Sequence, residues 1–138
     1  ETFPFAEDRL VLVTPARHPL AGKRRLAFKD VLAHDTVGLP TDSALQQHLE
    51  GHAARQGATL RPRLRLPGFD ALCRVVESGI GVAVVSRSAA LRCRKSMAIR
   101  VVPLLDPWTR RRLRLCVKSE RALPGPARAL LDTLRQSH

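Results

Sequence analysis

The stretch Val75–Ser86, "VVESGIGVAVVS", decides how this chain reads. It holds Gly-Ile-Gly inside a nearly continuous apolar run. Glycines beside a strand suggest a nucleotide-binding loop, but the order of elements argues against one. A dinucleotide loop runs strand, glycines, helix, because the phosphate sits on the helix N-terminus. Here the upstream segment "GFDALCRVVESG" repeats Phe69, Leu72, Cys73 and Val76 at i, i+3, i+4 and i+7, which predicts an amphipathic helix. Asp70 sits in its first turn and is placed to pair with Arg74 at i+4. Downstream, "IGVAVV" has no polar face, as expected of a strand covered on both sides. The order is helix, glycines, strand. Gly79 falls where the helix ends and suits the left-handed conformation that closes it. Gly81 suits a strand that packs closely against a neighbour. Any ligand contact then belongs at the other end of the strand, near Ser86.

Working toward the N-terminus, "TLRPRLRLP" alternates strictly. Leu60, Pro62, Leu64 and Leu66 share one face, and Arg61, Arg63 and Arg65 the other, which predicts an edge strand because of Pro62. "TDSALQQHLEGHAARQG" predicts a helix with Thr41 or Asp42 as N-cap, an apolar stripe of Leu45, Leu49 and Ala53, and closure at Gly57. "DTVGLP" reads as a short strand ended by Pro40. "LAFKDVLA" carries Leu26, Phe28, Val31 and Leu32 at near-helical spacing, enough for one or two turns. "ARHPLAGKR" is a loop, and "DRLVLVTP", Asp8 to Pro15, is a buried strand. Toward the C-terminus, "SRSAALRCRKS" reads as helical. "IRVVPLL" and "RRLRLCVK" read as strands, and "PGPARALLDTLRQ" as a final amphipathic helix.

The segment Thr36–Val85 thus alternates β-α-β-α-β, which implies an α/β fold with a parallel sheet and helices on its faces. Ligands of such sheets bind beyond the carboxyl ends of the strands. That rule selects "PTDS", "PGFD" and "SRS". Each leads into a helix N-terminus, whose first N–H groups lack intrahelical partners and carry partial positive charge. Three such ends on one rim suit a small anion such as a carboxylate. Thr41, Ser43 and Ser86 add hydroxyls, Gly68 permits close backbone approach, and Phe69 offers an apolar wall. The plainer reading makes Thr41, Asp42 and Ser86 helix caps and Phe69 core; capping and ligand contact can coexist, since different N–H groups serve them.

Composition bounds the rest. The 138 residues carry 44% hydrophobic and 26% charged residues, a globular balance. No apolar run reaches the roughly 18 residues of a membrane span. The N-terminus has neither initiator Met nor a signal-peptide pattern, so a piece of a longer chain is expected. The net charge of +12 invites a nucleic-acid reading, but 4% aromatics leave few rings to stack on bases. The basic residues are scattered and mostly arginine, which a general arginine bias explains equally well. Three cysteines without C-x-x-C spacing suit a reducing cytoplasm. His48 and His52 share a helix face in "HLEGH", but Glu50 is two residues after His48, whereas the zinc-protease motif has Glu directly after its first His. They read as solvated helix residues, with no metal or cofactor expected. No G-x-S-x-G motif or acid/base carboxylate pair appears. "TRRRLRLC" reads as solvated strand and loop, and secondarily as a surface for an acidic partner.

The order and spacing of "EDRLVLVTPARHPLAG", "DTVGLPTDSALQQHLEGHAARQG", "FDALCRVVESGIGVAVVS" and "VVPLLDPWTRRRLRLCVKSERALPGPARALLDTLR" resemble the C-terminal half of a LysR-type transcriptional regulator. The resemblance covers essentially the whole chain. It implies a type 2 periplasmic-binding-protein-like fold, in which two α/β lobes flank an effector cleft. Residues 1–110 would be the second lobe, nearly complete. Residues 111–138 would be the returning hinge strand and a C-terminal helix associated with the first lobe. The winged helix-turn-helix and most of the first lobe would lie outside this sequence. The effector-binding positions matching the family are Leu39, Pro40, Thr41, Asp42, Gly68, Phe69, Val85 and Ser86. Many relatives carry Pro where this chain has Ser86. The resemblance implies a non-enzymatic cytoplasmic sensor of a small-molecule effector such as a carboxylate, acting as a dimer or tetramer and reaching DNA only through the missing domain. A solute-binding receptor or a prephenate-dehydratase-like enzyme of the same fold is the alternative.

Overall fold

The computed structural model describes the backbone of residues 2–116 and the side chains of residues 9–110. The chain divides into two compact units, Arg9–Thr109 and a second comprising Glu1–Asp8 with Arg110–His138. Strand β1 spans Thr2–Pro15 and so contributes to both. It begins earlier than the expected Asp8. Helices α1 (Phe28–Val31), α2 (Ala44–Arg55) and α3 (Phe69–Glu77) follow. Then come β2 (Ala83–Ser86), α4 (Arg87–Arg94), β3 (Ile99–Pro103), a 3-10 turn at Pro107–Thr109, and β4 (Arg110–Cys116).

In the Arg9–Thr109 unit β1 is the central strand, with β2 on one side and β3 on the other, both antiparallel to it. Leu10, Val11, Leu12 and Val13 are almost wholly buried, as a strand covered on both faces and both edges requires. The sheet continues beyond β2 through parallel bridges Thr36↔Val82 and Gly38↔Arg65, and beyond β3 through Leu26↔Leu104. The three segments expected as parallel strands therefore do run parallel, but the full ladders are antiparallel, and the sheet is mixed. The difference arises because β1, distant in sequence, occupies the slot beside β2.

The alternating stretch 59–67 makes only the single bridge at Arg65, supported by Gly38 N–H to Leu64 O (3.0 Å) and Leu66 N–H to Gly38 O (2.9 Å). Leu60 is buried but Leu64 is exposed, so the period-two pattern does not describe one covered face. The strand is too short to hold that alternation.

α3 buries Leu72, Cys73 and Val76, the expected stripe, and α3 and α4 pack on each other and on β2 and β3. The expected Asp70–Arg74 pair does not form. Asp70 instead reaches Arg92 of α4 at 2.7 Å, and Arg74 meets Glu77 at 3.3 Å. The hydrogen bond from Arg92 holds the Asp70 carboxyl below its ordinary value. The first pair is exposed and the second partly so, and both contribute little to stability. Burial pushes the Cys73 thiol up to about 12, and Cys93 rises for the same reason, so both stay protonated and unreactive.

Gly79 has φ of +90° just beyond the C-cap of α3, as its position predicts. α2 ends in a Schellman arrangement: Ala58 N–H bonds Ala53 O, Gly57 N–H bonds Ala54 O, and Gly57 has φ of +75°. His52 is not simply solvated. Its ring stacks on Trp108 with centroids 3.9 Å apart, and Trp108 meets Phe28 edge-on at 5.0 Å. Partial burial, then the neighbouring His48, lowers the His52 pKa. The helix expected over residues 124–136 lies outside the described residues, as do the side chains of β4 beyond Arg110.

Candidate functional site

The parallel bridges fix which loops meet. With Thr36 opposite Val82, Pro40 comes level with Ser86; with Gly38 opposite Arg65, it also comes level with Pro67. The segments after Leu39, Leu66 and Val85 therefore emerge along one edge of the sheet, as the carboxyl-end rule predicts. The antiparallel register Leu10↔Ser86 brings Arg9 to the same edge. Sequence reasoning missed Arg9, because a lone arginine at a strand start carries no signal until the pairing partner is known.

The selected residues play unequal parts. Leu39 is at the margin of the core, Pro40 and Phe69 are half-buried, and Thr41 and Asp42 are exposed. Val85 is wholly buried, so its side chain is core and only its backbone reaches toward the rim. Ser86 caps α4, accepting from Ala89 N–H at 3.2 Å. The cap of α2 is Ser43, which accepts from Gln46 N–H at 3.3 Å, not Thr41 or Asp42. The chain needs one turn after Pro40 before the helix starts, shown by Ser43 N–H bonding Pro40 O. That shift frees the Thr41 and Asp42 side chains from capping. Gly68 has φ of +138° as N-cap of α3 and supplies no capping side chain, so the first turn of α3 opens on the rim.

A polar clamp holds the Leu39–Pro40 corner. Leu39 N–H donates to Gln46 Oε1 at 3.0 Å, and Arg65 Nη1 donates to Leu39 O at 2.9 Å. Glu50 Oε2 joins them, accepting from Gln46 Nε2 at 3.0 Å and lying 3.4 Å from Arg65 Nη1. Gln46 is 1% exposed and fully partnered, as a buried amide must be. Gly38 completes the fit: a Cβ there would lie 2.6 Å from Gln46 Oε1. None of Gln46, Glu50 or Arg65 was singled out from sequence. The available signal was a glutamine inside the apolar stripe of α2 with a glutamate four residues on.

Replacing Gln46 by Leu removes the acceptor for a buried Leu39 N–H. The expected loss is about 1–3 kcal/mol of unfolding free energy. Chemical denaturation checks it, with Gln47→Leu as control, since Gln47 is exposed. Equal stability for the two variants would mean the clamp does not hold the corner.

A cavity of about 10 Å³ lies behind Gln46, lined by Phe28, Val31, Val37, Leu49 and Val84 among others. It has room for about one water and is a packing defect under α2, away from the rim.

The LysR substrate binding domain model matches residues 1–138. The chain belongs to the LysR substrate-binding-domain family. This LysR domain is 33% identical over 120 residues to an uncharacterized HTH-type transcriptional regulator of Methanocaldococcus jannaschii, covering 85% of this chain and 40% of that protein. It is 30% identical over 86 residues to the RuBisCO operon transcriptional regulator of Allochromatium vinosum, covering 62% of this chain and 28% of that protein. Among solved structures, the regulatory domain of Synechocystis CcmR in complex with 2-PG matches with a TM-score of 0.78 at 20% identity, covering 99% of this chain and 66% of that one. The effector binding domain of QuiR in complex with shikimate matches with a TM-score of 0.75 at 16% identity, covering 99% and 64%. At these identities the structures show the fold, which is that of LysR effector-binding domains. The chain spans less than half the length of the curated relatives it matches.

Proposed function

We propose that this LysR domain senses a small-molecule effector for a bacterial transcription regulator and does no catalysis. The observation that carries the reading is the convergence of three loop–helix junctions on one edge, in a chain whose family is named for substrate binding. The effector contacts come from the backbone of Leu39, Pro40, Gly68 and Val85, the side chains of Thr41, Asp42 and Ser86, and the ring of Phe69. The open first turn of α3 suits an anionic group such as a carboxylate. In this reading residues 1–110 carry the second lobe, and residues 111–138 the returning strand and a helix of the first. Effector held between lobes shifts the balance of two arrangements of a homo-oligomer and so alters DNA binding by the winged helix-turn-helix of the full regulator. The regulator works in the cytoplasm. Among the described residues no helix is long and apolar enough to cross a membrane.

Calorimetry on the full-length regulator with a library of small acids tests the reading. Saturable binding of at least one acid is expected, together with an effector-dependent change in DNA footprint. Thr41→Ala should weaken that binding about tenfold while leaving stability within about 0.5 kcal/mol, the usual range for an exposed substitution. No saturable binding and no change in footprint would overturn the reading, as would turnover of a bound acid.

A further inference from the structure

The surplus positive charge is not spread evenly over the Arg9–Thr109 unit. Residues 9–29 contain no carboxylate, and neither do residues 87–105. The β1–β3 ladder lays these two segments side by side, with Thr14 opposite Arg100 and Pro15 opposite Ile99. Leu26, whose N–H bonds Pro103 O and whose carbonyl accepts from Leu105 N–H, bridges Leu104 just beyond the end of β3, so Lys23, Arg24 and Arg25 lead directly into that contact. Arg94 and Lys95 end α4, just before β3. Lys23, Arg24, Arg25, Arg94, Lys95 and Arg100 are all exposed.

Among the residues whose side chains are described, the carboxylates of adjoining elements are already engaged. Asp70 pairs with Arg92, Glu77 accepts from Arg74 and from Ala98 N–H, Asp30 accepts from Ala27 N–H, and Asp106 accepts from Phe28 N–H. Arg94 and Lys95 suit the negative end of the α4 dipole. Arg24, Arg25 and Arg100 have no such local reason. A protein-binding patch would carry an apolar or aromatic centre. Among the described residues, the exposed large apolar side chains are Leu64 and Ile80, on other segments, and Leu105, which bonds Leu26 O at the rim end of this edge and is a single side chain, too little for such a centre. A surface of guanidinium and ammonium groups without such a centre matches a regular array of phosphates.

We infer that the outer edge of β3 binds the phosphate backbone of duplex DNA without reading its sequence. This contact is separate from the effector rim and from the DNA-binding domain of the full regulator. It does not depend on an effector being bound.

The test is fluorescence anisotropy with the 138-residue chain and a labelled duplex of arbitrary sequence, over a series of salt concentrations. Affinity should fall steeply with salt. Arg24→Glu with Arg100→Glu should weaken binding at least tenfold and reduce the log–log salt slope by about 2, one phosphate contact for each residue. Arg55→Glu with Arg61→Glu removes the same charge from exposed positions elsewhere and should change affinity less than threefold. Equal losses from the two double variants would reduce the effect to net charge and overturn the proposal. Absence of salt-dependent binding would also overturn it. Displacement of DNA by poly-glutamate more effectively than by unlabelled duplex would reassign the edge to an acidic protein. Circular dichroism verifies that each variant is folded.

Discussion

Phe28→Ala is expected to lower the unfolding free energy by about 3–5 kcal/mol, the range for truncating a fully buried phenylalanine. Phe28 is 0% exposed and lies in a helix of one turn, so nothing in α1 itself compensates. Its ring meets the edge of Trp108 at 5.0 Å, and Trp108 in turn stacks on His52 of α2. The truncation would enlarge the small cavity that Phe28 already lines and remove the support of Trp108. At roughly 4–8 °C per kcal/mol for a domain of this size, the melting temperature should fall by at least about 12 °C. Trp108 is the chain's single tryptophan, so its fluorescence follows both unfolding and the local loss of packing. Leu105→Ala provides the contrast: Leu105 is 53% exposed and should cost under about 0.5 kcal/mol. A loss below 1 kcal/mol for Phe28→Ala would contradict the burial of Phe28 against Trp108.

Gly81→Val should cost about 3 kcal/mol, the upper end of the usual range for overpacking, because the obstacle is backbone. A Cβ at Gly81 would lie 2.8 Å from Asp35 O and 3.2 Å from the Thr36 carbonyl carbon. The same two segments are joined by Val82 N–H to Asp35 O (3.0 Å) and Val37 N–H to Val82 O (2.8 Å). A side chain at Gly81 would therefore prise open the parallel bridge Thr36↔Val82, on which the alignment of Pro40 with Ser86 depends. Gly22→Ala is the control, since nothing lies within 4 Å of its Cβ position, and it should be neutral or stabilising by up to about 1 kcal/mol. Urea unfolding of both variants decides the matter. An unaffected Gly81→Val protein would mean that the two segments are not in contact.

Much of the fold was legible because it rests on local rules. The stripe Leu72, Cys73, Val76 announces α3, the glycines after it announce its end, and the unbroken apolar run of β2 announces a strand covered on both faces. These patterns repeat with the period of the element that they form, so neighbouring residues carry the whole signal. The order helix, glycines, strand also oriented the sheet and placed the rim near Ser86. Less was legible where partners are remote. Asp70 could have met Arg74 on its own helix, yet it meets Arg92, twenty-two residues on, because α4 packs beside α3. The cap of α2 moved to Ser43 because the corner at Pro40 needs a turn that composition does not reveal.

By itself, then, the sequence determined helices α2, α3 and α4, strands β2 and β3 and the family they compose, and it selected three loop–helix junctions that meet along one edge. The tertiary structure decided that β1 lies between β2 and β3 and makes the sheet mixed, that Gln46, Glu50 and Arg65 clamp the Leu39 corner, and that two carboxylate-free segments lie side by side. The physical reason is the range of the forces involved. Helix and strand periodicity follow from backbone geometry over a few residues. Strand order, buried polar partners and the gathering of like charge depend on contacts that exist only once distant segments have packed.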